Sequence, residues 1–192
     1  VGIIKEAGPN SRTPCFKPGQ GWFYSNTNTV LLAVALEKAT NKTYANLLKE
    51  YVTEPLKLTV TSQPSDNNLP NPFARGFTRQ GVPDDKPAKD ATNWSPSFGY
   101  AVGDMISNFS DLKIWGKALG SGELLSEDMK KERFKYITPE NLIGKGYGYG
   151  IAIALDNGWW GHNGSLPGYN SVVKYRKDLD AVLVILTNAD SS

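Results

Sequence analysis

The sequence predicts an α+β fold in which helical segments come first and an antiparallel sheet follows. Apolar residues recur at helical spacing over 27–39, and Leu112, Trp115 and Leu119 share one face of a later helical pattern. Strand-like runs follow at 151–155, 159–164, 171–176 and 181–187, separated by Asn-Gly, Pro-Gly and Asp-Leu-Asp turns. With 192 residues, 40% of them hydrophobic, and five Trp, the chain is long enough to bury a sizeable core.

The first helix is expected from Thr27 to Ala39. Its apolar residues on helical spacing are Val30, Leu31, Val34 and Leu36. Asn26 or Thr27 is the expected N-cap, because a short polar side chain can accept a hydrogen bond from the free N–H groups of the first turn. A second, short helix is predicted over 44–51.

The segment from Gln63 to Pro96 is rich in Pro, Asn and Asp, which predicts a long irregular excursion over the surface. We expect Phe77 and Trp94 to pin this excursion to the rest of the molecule. Together with Arg75 and Arg79, Trp94 is also expected to form part of the rim of a cleft.

Two further helices are predicted after this excursion. Ser110 and Asp111 open the first, with Asp111 in a charged first turn, and Gly120 and Gly122 end it. Ser126 starts the second, which has acidic residues in its first turn, where they complement the helix dipole. Both helices are predicted to be peripheral.

The final apolar run, 181–186, is typical of a central strand that is covered on both faces. Only six residues follow Leu186, and the start at Val1 has neither an initiator Met nor a signal-peptide pattern. We therefore expect a processed or cut chain that lacks a segment covering the sheet.

Charge and composition exclude several classes of partner. Lys and Arg number 21 against 19 Asp and Glu and are dispersed among them, so there is no electrostatic footprint for nucleic acid. No apolar run approaches the roughly 20 residues that a membrane-spanning helix needs. Cys15 is the only Cys, which excludes an internal disulfide, and no Cys or His cluster has zinc-binding spacing. We predict no metal and no cofactor.

Two short motifs carry the candidate chemistry, Tyr24-Ser25-Asn26 near the start and His162-Asn163-Gly164 near the end. With their flanking segments, and in the same order, they resemble the active-site motifs of penicillin-recognising serine hydrolases, the family of D-alanyl-D-alanine carboxypeptidases and class C β-lactamases. The similar segments are 18–28 with the helical run to Thr40, 54–58 (Glu-Pro-Leu-Lys-Leu), 106–125 and 161–169. The resemblance covers nearly the whole chain and is weakest from Ser62 to Lys89.

The resemblance implies a β-lactamase/transpeptidase-like fold, with a helical subdomain packed on an antiparallel sheet and the cleft between them. Residues 1–192 would form a single partial domain, mainly helical and irregular over about 20–140 and made of antiparallel strands over 146–188. The first sheet strands, the nucleophile helix and the closing C-terminal helix would be missing. The implied location is extracytoplasmic, either periplasmic or secreted.

Each candidate side chain suits one need of serine acyl transfer. The attacking hydroxyl must lose a proton, and the leaving group must gain one. The Tyr24 phenol can shuttle this proton if a neighbouring cation favours the phenolate. The Asn26 carboxamide can orient an amide substrate, since it both donates and accepts hydrogen bonds. His162 adds a titratable donor beside the cleft.

The resemblance also implies an oxyanion site on the strand of the second motif. The backbone N–H of Ser165 would be one oxyanion donor if this strand faces an edge. Asn163 and Gly164 are predicted to bind substrate with it, because glycine lets a substrate backbone approach closely. The second oxyanion donor would be the N–H of the nucleophile itself.

The family's first motif, Ser-x-x-Lys, has no credible copy in the sequence. The run Ser110-Asp111-Leu112-Lys113 follows the Tyr-x-Asn motif instead of preceding it. The run Ser171-Val172-Val173-Lys174 lies in a predicted strand, where residues three apart point to opposite faces. We expect the nucleophile upstream of Val1, or on a second chain, so this chain alone is expected to be inactive.

Three functions remain open from the sequence. The leading one is a serine hydrolase of carboxypeptidase, β-lactamase or esterase type that cleaves an amide or ester, such as a peptidoglycan stem peptide or a β-lactam, through an acyl-enzyme. The second is a non-catalytic relative that keeps the cleft. The third is a Ser-His-acid hydrolase with His162 as base and Ser25 or Ser165 as nucleophile. Taken alone, Tyr24 would be a buried aromatic and Asn26 a helix cap.

Overall fold

The computed structural model describes residues 16–17, 20, 23–138 and 143–190. These residues form an α+β fold, with helices followed by a five-stranded antiparallel sheet, as the sequence predicts. The expectations that concern the start of the chain, Cys15 and Gly21-Trp22 fall on residues outside this description.

The helices of the described chain are α1 (Asn26–Thr40), α2 (Tyr44–Leu48), α3 (Phe109–Ser121) and α4 (Glu127–Phe134). A π-helical turn at Lys49–Thr53 continues α2, which extends the helical region as far as predicted. The predicted N-cap of α1 is wrong. Ser25 is the N-cap and makes no side-chain capping bond, and Asn26 is already the first helical residue. The Asn26 side chain is therefore not used as a cap.

The segment 63–96 is irregular, as predicted, apart from a short hairpin of β1 (Phe77–Thr78) and β2 (Lys89–Asp90). Burial of Phe77 and Trp94 does not pin it, because these side chains are 39% and 40% exposed. The pin is instead Thr78, which is fully buried, together with the Phe77 main chain, whose N–H donates to Asn188 O at 3.0 Å. Hydrogen bonding to the end of the sheet replaces the expected aromatic contact.

The two arginines of this segment are structural rather than part of a cleft rim. Arg75 forms an ion pair with Asp90, and the Arg79 guanidinium donates to backbone carbonyls of its own loop. The Thr92 hydroxyl and N–H, with Arg75, hold the pKa of Asp90 down at about 2. Both arginines are thus occupied in fixing the loop.

The large sheet is a meander in which each strand pairs with the next along the chain. Its strands are β3 (Tyr147–Gly150), β4 (Ile153–Asp156), β5 (Trp159–Leu166), β6 (Tyr169–Arg176) and β7 (Ala181–Thr187). The four predicted runs correspond to β4 to β7 and are joined by the predicted turns. Strand β3 lies within the predicted strand region 146–188 but was not predicted as a separate run, because its alternating Gly and Tyr residues lack the β-branched pattern of a strand.

Strand β7 differs from the covered central strand that its apolar run predicts. Within the described residues it pairs on one side only, with β6. Leu183 and Ile185, which point away from the helices, are 37% and 46% exposed. An apolar run shows that a strand is suited to burial, but not which neighbour buries it.

Helix α3 lies against the sheet and is not peripheral as predicted. A Cβ added at Gly116 would lie 2.8 Å from Val182 and 3.0 Å from Val173, and one at Gly120 would lie 2.5 Å from Tyr175. The small residues on this face let the helix backbone approach β6 and β7 closely. Hydrophobic spacing pointed to the larger side chains of α3 and missed this glycine face.

Asp111 lies in the first turn of α3, as predicted, but the sequence did not indicate its burial. It is 3% exposed, and its carboxylate accepts hydrogen bonds from the N–H groups of Val60 and Thr61, each at 2.9 Å, and from the Thr61 hydroxyl. Asn108 provides the N-cap by accepting from the Asp111 N–H. Asp111 therefore joins α3 to the segment that follows the helical region.

Candidate active site

The His162-Asn163-Gly164 motif lies on β5. The turns at the two ends of β5 determine the direction in which each backbone N–H and C=O group of the strand points. Asp156 pairs with Trp159 across the Asn157-Gly158 turn, and Leu166 pairs with Tyr169 across the Pro167-Gly168 turn. In a two-residue hairpin the closing pair exchanges hydrogen bonds, and bonded and non-bonded pairs then alternate along the strands. Both turns give the same assignment for β5.

By this alternation, His162 and Gly164 bond to β6, while Asn163 and Ser165 direct their N–H and C=O groups to the other side. Strand β4 occupies that side only as far as Gly161. Within the described residues no strand pairs with β5 beyond this point on the β4 side. The backbone of Asn163 and Ser165 therefore lines an open edge of the sheet, where both N–H groups and the Ser165 C=O are available to an extended ligand.

His162 lies beside this edge on the face that α3 covers. It is paired with Val173, which contacts α3, and directly paired residues share a face. His162 Nδ1 lies 2.5 Å from Asn163 O, and a carbonyl oxygen only accepts, so Nδ1 carries a proton. The ring nitrogen left for a substrate or a neighbouring side chain is Nε2.

Tyr24 comes from the other end of the sequence and meets His162. Their ring centroids are 5.9 Å apart, with the planes tilted by 37°. Tyr24 immediately precedes the N-cap of α1, is 50% exposed, and its hydroxyl has no hydrogen-bond partner within the described residues. Tyr24 is therefore not a buried aromatic with a satisfied hydroxyl.

Asn26 opens α1 two residues after Tyr24. It is exposed, and its carboxamide has no hydrogen-bond partner in the part of the chain that the structure describes. Its backbone carbonyl accepts from Thr29 Oγ1. The side chain is thus unoccupied at the N-terminal end of α1, on the same trough as Tyr24 and His162.

These groups share a single open trough of about 2400 Å³. Its wall includes Tyr24, Asn26, His162, Asn163, Gly164 and Ser165, as well as Trp94 and parts of the 58–74 segment. Ligand pockets in proteins usually measure about 300–1,000 Å³, so this space is a trough and not a closed pocket. The residues predicted from the two motifs therefore line one concavity, which is open to solvent.

The three residues after His162 contribute differently from one another. Because side chains alternate along a strand, Asn163 and Ser165 point theirs to the face opposite His162. What both residues present at the open edge of β5 is their backbone. A Cβ at Gly164 would lie 2.7 Å from Ser171 Oγ, so a side chain there would crowd the wall.

Neither copy of Ser-x-x-Lys lies in a catalytic arrangement. Ser110 and Lys113 are exposed and are not among the residues that line the trough. Lys174 forms an ion pair with Asp156 on the face of the sheet opposite Ser171. Ser171 and Lys174 both line the trough, but their side chains lie on opposite faces of β6.

Among the described residues, a Ser-His-acid arrangement also lacks two of its parts. The Nδ1 of His162 bonds to a backbone carbonyl, where a triad would place a carboxylate. The Ser165 hydroxyl lies on the opposite face of β5. Ser25 remains as a neighbour in sequence of Tyr24, but it is not among the residues that line the trough.

The sequence analysis missed a group of titratable residues farther along the trough. Tyr100 bonds to Glu37, and burial together with this carboxylate raises the pKa of Tyr100 to about 12. Burial also raises the pKa of Asp104, which is 6% exposed and accepts from Gln63 Nε2 at 3.1 Å. These residues are distant in sequence and match no motif, so no sequence signal identified them.

A metal-binding cluster and a membrane-spanning helix are both absent from the described residues. No group of three or more His, Cys, Asp and Glu residues among them is arranged to hold a metal ion. None of their helices combines the length and hydrophobicity needed to cross a membrane.

Comparison with protein families gives a match over almost the whole chain. A family model described as Beta-lactamase matches residues 7–192. Among curated proteins, penicillin-binding protein 4* of Bacillus subtilis is 28% identical over 189 residues, which is 91% of this chain and 41% of that protein. The chain therefore spans well under two thirds of the length of this relative.

Solved structures give a matching result. A D-stereospecific amidohydrolase from Streptomyces sp. is 31% identical with a TM-score of 0.83, covering 94% of this chain and 54% of that one. The D-amino acid amidase from Ochrobactrum anthropi SV3, complexed with L-phenylalanine amide, is 26% identical with a TM-score of 0.75, covering 90% and 51%. A penicillin-binding protein from Bacillus halodurans, 18% identical with a TM-score of 0.72, shares the fold.

Proposed function

Because the chain belongs to the beta-lactamase family, we propose that it forms the substrate-binding and proton-transfer part of a serine hydrolase. The reaction is cleavage of an amide or ester through an acyl-enzyme. The observation that carries the proposal is the meeting of the Tyr24 phenol and the His162 imidazole beside the open edge of β5. The two groups come from motifs more than a hundred residues apart in the sequence.

The open edge binds the substrate in this proposal. An extended acyl donor adds to β5 as a further strand, using the N–H groups of Asn163 and Ser165 and the C=O group of Ser165, because Asn163 O already accepts from His162 Nδ1. The Ser165 N–H then faces the carbonyl oxygen as it becomes an oxyanion, where a preorganised donor stabilises the transition state most. Asn26 orients the amide group from the N-terminal end of α1.

Tyr24 carries the proton in this reaction. The serine oxygen bonds to the carbonyl carbon while its proton moves to the Tyr24 phenolate, and the carbonyl electrons move onto the oxygen. When the tetrahedral intermediate collapses, the bond to the leaving nitrogen or oxygen breaks and Tyr24 returns the proton to it. Water then attacks the carbonyl carbon of the acyl-enzyme in the same way. Tyr24 takes a proton from the water and returns it to the serine oxygen as the bond between this oxygen and the acyl group breaks.

The nucleophile is assigned to a segment outside these 192 residues. Both Ser-x-x-Lys sequences of the chain lie outside any catalytic arrangement, and the chain spans 41% of penicillin-binding protein 4* and 54% of the Streptomyces amidohydrolase. The names of the relatives favour an amide of a D-configured amino acid, or a β-lactam, as substrate. By analogy with the penicillin-binding relatives, we assign the activity to the outside of the cytoplasm.

The test is acylation of the full-length protein that contains this chain. Incubation with a fluorescent penicillin, followed by mass spectrometry, is expected to give a covalent adduct on one serine outside residues 1–192. Replacing Tyr24 with Phe is expected to slow acylation about 10²–10⁴-fold, the usual contribution of general acid–base catalysis. Tyr51→Phe is the matched control, because Tyr51 is 59% exposed and does not line the trough.

Two other outcomes would contradict the proposal. Binding of a D-amino acid amide or a penicillin without any adduct or hydrolysis would favour a non-catalytic relative that retains the trough. An adduct that forms at the same rate in Tyr24→Phe, but is lost in His162→Gln, would favour a histidine base.

A further inference from the structure

The two turns that flank β5 differ in type. In the β4–β5 turn, Asn157 and Gly158 both have positive φ, 49° and 86°, as a type I′ turn requires. In the β5–β6 turn, proline fixes φ near −65° at the first position, and Gly168 has φ of 85°, the pattern of a type II turn. Type I′ turns match the twist of a hairpin, whereas type II turns splay its strands. The β5–β6 turn therefore needs support from outside the hairpin.

Asp190 supplies this support. The Gly168 N–H lies in the middle of the turn and takes no part in the Leu166–Tyr169 pair that closes it. It donates instead to Asp190 Oδ2 at 3.1 Å. The same oxygen accepts from the Thr78 hydroxyl, and Asp190 Oδ1 accepts from the Arg79 N–H at 3.3 Å. One carboxylate thus holds the turn and β1 together.

The backbone reinforces the same connection, which we call the Asp190 junction and define as residues 76–79, 168–170 and 188–190. The Phe77 N–H donates to Asn188 O at 3.0 Å, and the Asp190 N–H donates to Phe77 O at 3.3 Å. The Asn170 side chain donates to Ala189 O at 3.2 Å. Segments from the irregular region, the turn and the end of β7 therefore meet at this point.

Close packing leaves this junction little freedom. A Cβ at Gly76 would lie 2.4 Å from the Tyr169 ring and 2.9 Å from Gly168 O. The Tyr169 hydroxyl donates to Ala74 O at 2.8 Å. Ala74 belongs to the segment that lines the trough, and Tyr169 lines it as well. A movement of the turn would therefore displace the trough wall on both sides.

The turn begins one residue after Ser165, whose backbone N–H faces the open edge. Leu166 pairs with Tyr169 at the base of the turn, so splaying of the turn would shift Leu166. Through the Ser165–Leu166 peptide this shift would tilt Ser165, whose N–H belongs to the preceding Gly164–Ser165 peptide. Taking the proposed function as its premise, we propose that Asp190 is a positioning residue for the reaction. It clamps the β5–β6 turn so that Ser165 presents its N–H at the correct angle to the developing oxyanion.

The clamp itself is tested by amide hydrogen exchange on the full-length protein, without any substrate. In Asp190→Asn, an amide N–H₂ replaces one accepting oxygen opposite three donors. Exchange at Gly168 is expected to rise at least tenfold and at Leu166 several-fold. Exchange at Trp160, at the far end of β5, is expected to stay unchanged. Asp178→Asn is the matched control, because Asp178 is an ion-paired carboxylate in the β6–β7 turn.

The positioning role is tested by steady-state kinetics of the same variants. An oxyanion donor acts only in the transition state, so kcat of Asp190→Asn is expected to fall about tenfold while KM changes less than twofold. Thr78→Ser keeps the hydroxyl and is expected to stay near wild type, whereas Thr78→Val loses it and is expected to shift both readouts in the direction of Asp190→Asn.

Each outcome decides one step. Unchanged exchange at Gly168 and Leu166 in Asp190→Asn overturns the clamp whether or not the protein is an enzyme. Faster exchange with unchanged kcat overturns the positioning role. Exchange that rises equally at Trp160 shows global destabilisation and also overturns it. A wild-type protein without activity contradicts the proposed function, and the exchange result then still stands as the test of the clamp.

Discussion

The carboxylate of Asp111 shows how much one buried side chain contributes to the arrangement of the trough. It accepts hydrogen bonds from the N–H groups of Val60 and Thr61, two residues that line the trough. Burial alone would raise the pKa of Asp111, but these hydrogen bonds outweigh burial and hold it below its usual value. The ionised form is therefore the one that the fold stabilises.

Asp111→Asn is expected to lower the free energy of unfolding by about 1.5–3 kcal/mol at pH 7, the range for hydrogen bonds to a charged group. A carboxylate whose pKa is lower in the folded state stabilises the fold above its unfolded pKa of about 3.9, and this contribution is lost as the pH falls through the folded value. The difference between wild type and variant should therefore shrink below about pH 4. Urea unfolding across this pH range measures both effects.

The control for this prediction is Asp128→Asn. Asp128 is an exposed carboxylate at the start of α4 that pairs with Lys131 one turn later. Such surface pairs contribute about 0–1 kcal/mol. Equal losses in the free energy of unfolding in the two variants would show that the hydrogen bonds from the 60–61 backbone to Asp111 stabilise the fold no more than a surface ion pair does.

At the scale of elements, α3 approaches the sheet through glycine residues. The hydrophobic spacing of the sequence predicts instead that large side chains make this contact. Gly116 and Gly120 face Val173, Val182 and Tyr175 at distances that leave no room for a Cβ. His162 is paired with Val173 across the sheet, so the face on which α3 rests also presents the imidazole. The depth at which α3 packs therefore sets the wall behind the candidate site.

Gly116→Ala tests this packing against helix propensity. In an exposed helix, this change would stabilise the protein by about 1 kcal/mol, since alanine is the better helix former. Here the added methyl group would meet Val182 at 2.8 Å, and overpacking of this kind costs about 1–3 kcal/mol. We expect net destabilisation in thermal unfolding. Lys113→Ala, on the exposed side of α3, should be nearly neutral, and a stabilised Gly116→Ala would contradict close packing.

At the scale of the whole molecule, the described residues expose more large apolar side chains than isolated surface positions explain. Leu31, Leu32 and Leu36 on α1 are 53%, 57% and 49% exposed, and Leu183 and Ile185 lie together on the outer face of the sheet. Extended apolar surface usually marks a contact with another segment or protein. The chain spans about half the length of the solved structures that it resembles. The surface that it exposes by itself therefore differs from the surface of those longer proteins.

The 192-residue chain by itself is expected to bind a hydrophobic dye and to self-associate. Changing Leu183 and Ile185 together to Lys should reduce both effects, since it removes a contiguous apolar patch. Leu179→Lys is the control, because Leu179 is 61% exposed but lies in the β6–β7 turn. Dye fluorescence and light scattering measure the outcome. Equal effects of the double Lys variant and of Leu179→Lys would mean that the outer face of the sheet is not the surface through which the chain self-associates.

Local signals were sufficient for much of the fold. The turns at Asn157-Gly158 and Pro167-Gly168 and the apolar strands around them predicted β4 to β7, because hairpin geometry depends on residues adjacent in sequence. Helix α1 was predicted within one residue at each end for the same reason. The burial of Asp111 and the error in the position of α3 concern contacts with residues about fifty or more positions away, for which periodicity carries no information.

The sequence by itself determined which chemical groups are present, in what order, and which strands and turns carry them, because these depend on neighbouring residues. Only the tertiary structure decided that Tyr24 and His162 meet, that Asn163 and Ser165 present their backbone at the open edge of β5, and that Asp190 holds the adjacent turn. Each of these depends on a ring contact, a pairing register or a hydrogen bond between distant segments, and such contacts form only when the whole sheet and its helices pack together.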